Sequence, residues 1–89
     1  MKPRYVLVPP HALRAVARVL TKSADAKGDF GWHKIARTDE GRKMLIDKAM
    51  RHLEEVRLGV ERDEETGESP LAHATSNLLF LLEWIEGGL

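Results

Sequence analysis

His73 and Asn77 lie four residues apart in segment 69–82, which is otherwise almost wholly apolar. Ser69 suits a helix cap there and Pro70 a first helical turn, so the spacing predicts a helix with two stripes. Leu71, Ala74, Leu78, Leu81, Leu82 and Ile85 share one stripe, and His73, Asn77, Phe80 and Trp84 share the other. A helix apolar on both stripes must be covered on both. Polar side chains held there need partners, since a buried group left unpaired costs about 1–3 kcal/mol, and another helix, another subunit or a ligand can supply them.

Further donors are spread along the chain. Segment 23–36 is broken by Gly28 and Gly31 and sets Phe30 and Trp32 among Lys27, His33 and Lys34. An aromatic ring in such a loop can stack on a base while its cationic neighbours hold phosphate; Trp32 plugging the end of a helical bundle is the structural alternative. His52 follows Arg51 and sits beside the apolar series Leu45, Ala49, Leu53 and Val56, where it either points into a groove between helices or is simply packed. Lys27, Trp32, Lys34, Arg51, His52, His73 and Asn77 together make a candidate set for an anionic, base-bearing ligand.

Acidic groups are distributed unevenly. Glu54, Glu55, Glu61 and Asp63 gather near the end of the second long helix and in the acidic loop 60–68, whereas the inner part of the last helix offers His73 and Asn77 instead of acids. That supply suits anion binding better than a catalytic metal held between facing helices. The spacing of Asp63, Glu65 and Gly67 does not match an EF-hand, which leaves a solvated turn. Neither a glycine-flanked serine elbow nor a Walker loop occurs.

The elements that must position these groups follow from periodicity. Residues 5–8 read as an extended arm stopped by Pro9 and Pro10, with Pro10 able to open a helix. A first helix is expected over about residues 11–22, with Leu13, Val16, Ala17, Leu20 and Ala24 at its inner spacing and Arg14, Arg18 and Lys22 as a solvated stripe opposite. Thr38 or Asp39 caps a second helix that ends before Gly59, with Lys43 and Asp47, and Asp47 and Arg51, as oppositely charged pairs worth about 0.2–0.5 kcal/mol each. Residues 86–89 are expected to fray.

With 89 residues there is room for one domain, and a chain this short buries a small share of its surface unless copies associate. There is no cysteine, which excludes disulfides and thiolate metal sites. Fourteen basic residues balance fourteen acidic ones, which argues against a protein that coats nucleic-acid polymers. No apolar run approaches a membrane span, and the proline-broken start does not read as a signal peptide. The expectation is an all-α, cytoplasmic, single-domain bundle of about three main helices with an extended N-terminal arm, completed as a homo-oligomer.

Along nearly its whole length the chain carries a recurring order of residues. These are Arg4, Tyr5 and Leu7 with the prolines; Ala12, Leu13, Val16 and Ala17; Ser23, Ala24, Gly28 and Trp32; and Arg51, His52 and Leu53. Gly59, Glu61 and the run 63–67 continue it, and residues 71–74 with Asn77 and 80–82 complete it. In this order the chain resembles the small phage family of dATP/dGTP diphosphohydrolase N-terminal domains, relatives of MazG-type all-helical nucleotide pyrophosphatases. It departs from that pattern at Lys27, Gly31 and Pro70, where tyrosine, asparagine and histidine are expected.

The resemblance implies a purine nucleotide as ligand and, for a phage-encoded protein, the host cytoplasm. Three functions follow from residues and resemblance together. In the first, the chain binds or sequesters a purine nucleotide, a cyclic nucleotide or another nucleotide-derived signal without turnover, and binding requires no cofactor. In the second it is a (d)NTP pyrophosphohydrolase using Mg²⁺ or Mn²⁺, with Glu61 and Asp63 among the metal ligands. In the third it is a non-catalytic helical interaction module in which His73 and Asn77 fix register.

Overall fold

The computed structural model describes residues 1–88, and helices account for most of them. The arm of residues 1–9 is exposed throughout and carries one 3-10 turn, Tyr5–Leu7, within what the sequence suggests is extended chain. Pro10 opens α1 (Pro10–Lys27), where its missing N–H removes no helical hydrogen bond. The helix runs five residues beyond Lys22 because no breaker intervenes before Gly28, which sits at φ +90° while its N–H still donates to the Ala24 carbonyl at 2.7 Å.

A short helix, α2 (Trp32–Ala36), follows the glycines, which hid it from periodicity. Thr38 caps α3 (Asp39–Arg57), its hydroxyl accepting from the Gly41 N–H at 2.9 Å, and Asp39 and Glu40 place negative charge at the positive end of the helix. Ser69 caps α4 (Pro70–Gly87) by accepting from the Leu71 N–H at 3.1 Å. Gly88, in the left-handed conformation, closes α4 with its N–H on the Trp84 carbonyl at 3.0 Å, so residues 86 and 87 are helical where fraying was expected. Leu89 lies outside the described residues.

Helix α4 is the hub. It packs against α1, α2 and α3, whereas α1 meets no other helix. Its buried residues are Pro70, Ala72, Ala74 and Ser76, and those of the other helices are Val16 and Val19 of α1, Ala36 of α2, and Gly41, Leu45 and Ala49 of α3. Small side chains on the hub let the other helices approach closely, and the Ser76 hydroxyl satisfies itself by donating to the Ala72 carbonyl at 2.8 Å.

The consequence is that the large residues stay outside. Leu71, Leu78, Leu82 and Ile85 of the expected apolar stripe are exposed in the protomer, and only Ala74 of that stripe is fully buried. Leu13, Leu53 and Val56, expected to be inward, are exposed as well. The bundle therefore leaves an apolar face uncovered within one chain. Among the described residues, no helix is long and apolar enough to cross a membrane.

Gly41 provides a test of a second close approach, that of α3 to the end of α2. A Cβ there would fall on the Ile35 carbonyl oxygen, which is backbone and has little freedom to yield. Glycine to alanine inside a helix ordinarily stabilises by about 1 kcal/mol; Gly41→Ala is expected to destabilise instead, read as a lowered urea midpoint with an unchanged m-value.

Candidate functional site

The loop between α3 and α4 is organised by two acids. Glu68 has a side chain only 7% exposed and accepts from Lys22 Nζ at 2.7 Å and Arg18 Nε at 3.0 Å. Two members of the stripe expected to be solvated thus bind α1 to the loop. These hydrogen bonds, Lys22 first, hold the Glu68 carboxyl below its ordinary 4.5 against the opposing effect of burial. Lys22 also donates to the Thr66 carbonyl at 2.6 Å.

Asp63 folds the loop on itself. Its Oδ2 accepts from the N–H groups of Glu65 and Thr66, both at 3.0 Å, and from the Thr66 hydroxyl at 3.2 Å. The Thr66 oxygen in turn accepts from the Glu68 N–H at 3.2 Å and lies 2.7 Å from His73 Nε2. A hydroxyl has one proton and two lone pairs, so with the proton on Asp63 and one lone pair on Glu68, the second lone pair receives the His73 Nε2–H.

The His73 ring stacks on His52 at 4.9 Å between centroids, and His52 Nδ1 lies 3.2 Å from Glu55 Oε1 one turn along α3. Burial pushes the His73 imidazole below its ordinary 6.5, with Asp63 opposing and His52 reinforcing the shift. Asp63 is lowered from its usual 3.8: burial raises it, but the backbone hydrogen bond from Thr66, His73 and the Glu65 N–H together outweigh that.

A second group forms beyond α1. Phe30 occupies the left-handed region at φ +56°, a conformation that strains a residue with a Cβ by about 1–2 kcal/mol, and the residue is 70% exposed. It lines an open depression of about 450 Å³ together with His33, Lys34 and Arg37. Trp32 is turned inward and stacks on Phe80 at 5.1 Å with rings 5° from parallel, so it plugs the bundle here while Phe30 is the aromatic that faces solvent. The Arg42 guanidinium covers Trp84 at 3.9 Å on the same stretch of α4.

The candidate residues fall into different surroundings. His52 and His73 are brought into contact, with Asp63 Oδ2 3.9 Å from His73 Nε2. Arg51 is exposed and paired with Asp47 at 3.1 Å; Asn77 is half-buried; Glu61 is exposed. Lys27 ends α1, and Lys34 lines the Phe30 depression. Of the departures, Lys27 and Gly31 flank Phe30, whereas Pro70 is fully buried at the start of α4.

The placement of several residues emerges only from the structure. Glu55 is signalled in retrospect by its three-residue spacing from His52. Arg37 and the strained Phe30 depend on the unpredicted α2 turn. Glu68 is one acid in an acidic run, and its burial had no signature beyond the four-residue spacing of Arg18 and Lys22.

Comparison with known families finds a match to the model described as dATP/dGTP diphosphohydrolase, N-terminal, over residues 1–88, and the chain belongs to that family. Neither curated proteins nor solved structures yield a match.

The Glu68 contact is testable without any ligand. Because its folded pKa is depressed, the contact contributes stability that is present above pH 4.5 and is lost as pH falls through the lower folded value. Glu68→Gln is expected to lower the urea midpoint at neutral pH, and the gap to wild type should narrow in acid below 4.5.

Proposed function

From membership of the dATP/dGTP diphosphohydrolase N-terminal family, we propose that this chain binds a purine nucleotide, linear or cyclic, and sequesters it without turnover. The observation that carries the reading is the exposed, strained Phe30 beside His33, Lys34 and Arg37 around one open depression. An aromatic face takes the base, and the neighbouring donors take the phosphates. The four lining residues include no carboxylate. A site of this composition offers donors to hold the anion but no carboxylate to hold the metal ion that phosphoryl transfer uses to neutralise developing charge, which favours binding over turnover. The family's name supplies the preference for purines.

Binding is expected to persist in a chelator. Phe30→Ala should weaken it by about 1–3 kcal/mol through lost stacking, and Arg37→Ala by about 1.5–3 kcal/mol through a lost charge-assisted contact, both by calorimetry. A panel of deoxynucleoside triphosphates and cyclic nucleotides incubated with Mg²⁺ or Mn²⁺, followed by heat denaturation and chromatography, should return the ligand intact. Monophosphate and pyrophosphate that vanish in Glu61→Gln or Asp63→Asn would replace this reading with the pyrophosphohydrolase. A loss confined to Arg51→Ala and His73→Ala would move the ligand to the histidine side, and no binding across the panel would leave the helical interaction module.

The same reading includes association of copies, supported by the uncovered apolar residues of α4. Light scattering should give at least a dimer. Leu82 is 51% exposed in the protomer, so Leu82→Asp would leave an isolated chain nearly unchanged and is expected to dissociate an assembled one. A 10.0 kDa species in both proteins removes this element.

A further inference from the structure

We propose that His52, Glu55 and Asp63 form a binding site for a divalent transition cation of the zinc type. One ligand atom from each, a ring nitrogen and two carboxylate oxygens, lies within 4.8 Å of the others. Tetrahedral Zn²⁺, with bonds of roughly 2.0–2.2 Å, holds neighbouring ligand atoms about 3.3 Å apart. His52 Nδ1 and Glu55 Oε1 already stand at 3.2 Å. Asp63 comes from a loop and Glu55 from a half-buried position, so the remaining closure is a small side-chain movement.

Charge supports the assignment independently of distance. Glu54 pairs with Arg57 and Glu68 with Arg18 and Lys22, but among the described residues Glu55 and Asp63 contact no lysine or arginine, only the two histidines. Each hydrogen bond that Asp63 accepts through its side chain falls on Oδ2, leaving Oδ1 with lone pairs to offer. His73, stacked on the His52 ring and tied to Thr66, fixes the orientation of the ligating imidazole in the way that outer groups support metal ligands.

The donor set selects the metal. Mg²⁺ and Ca²⁺ prefer oxygen ligands alone, whereas an imidazole nitrogen among carboxylates suits Zn²⁺, Co²⁺, Ni²⁺ and Mn²⁺. Three protein ligands leave the fourth position of a tetrahedron to water. The cation takes the place of the direct contact between His52 and Glu55 and fastens the 60–68 loop to α3. The site uses none of the residues around Phe30 and does not rest on nucleotide binding.

The test uses metal ions alone on chelator-treated full-length protein. Calorimetry with Zn²⁺ should give one ion per chain, Co²⁺ should produce a visible d–d absorption band, and Mg²⁺ should bind more weakly than Zn²⁺. His52→Ala and Glu55→Gln should each weaken Zn²⁺ by more than about tenfold with unchanged circular dichroism, while His11→Ala, on the exposed start of α1, retains wild-type affinity. Zn²⁺ should also raise the melting temperature of wild type and not of Glu55→Gln. Wild-type affinity in both site variants, a preference for Mg²⁺, or a loss in His11→Ala alone would overturn the site.

Discussion

A buried carboxylate is tolerable only when cations or donors meet it, and Glu68 has both Lys22 and Arg18. The order of the α3–α4 loop depends on that contact. With the side chain anchored, the Glu68 N–H reaches the Thr66 hydroxyl, the hydroxyl joins Asp63 to His73, and His73 covers His52. The path from α1 to the histidines on α3 and α4 is therefore a continuous set of short polar contacts ending in one ring stack. Losing the anchor would leave a buried carboxylate without its cations at one end of this path.

Local rules made much of this architecture legible. Thr38, Ser69, Pro10 and Pro70 announce their helix starts, because capping and N1 geometry are decided within three or four residues. The contact of His52 with His73 was legible only as two polar residues beside apolar stripes. The inward face of α4 was misjudged for a physical reason. Periodicity ranks Leu78 and Leu82 above Ala72 and Ser76, but a central helix with neighbours on several sides is limited by how closely backbones approach, and small residues win there. The α2 turn was hidden by glycines, and with it the outward Phe30 and inward Trp32.

Overall neutrality conceals a separation of charge. Lys34 and Arg37 border a depression without a carboxylate, whereas Glu55 and Asp63 face two imidazoles with no lysine or arginine in contact among the described residues. Within about one Debye length, roughly 8 Å at physiological ionic strength, each region sets its own potential. One favours anions and the other cations, so the formal charge of zero carries little information about what approaches either.

The solitary helix–helix contact of α1 sets an order of unfolding. Val16 and Val19 are its only fully buried residues, and among the helices it packs on α4 alone, with Arg18 and Lys22 reaching the α3–α4 loop, while α2, α3 and α4 contact one another. Sub-global opening follows the boundary with least buried apolar surface, so α1 forms the outermost cooperative unit, its amides exchanging with solvent before those of α3 and α4. When α1 departs it takes Arg18 and Lys22 with it. The lowest-energy excursion of the fold thus also frees Glu68 and loosens the loop beside the paired histidines, which links the lifetime of a helix far along the chain to the order of that cluster.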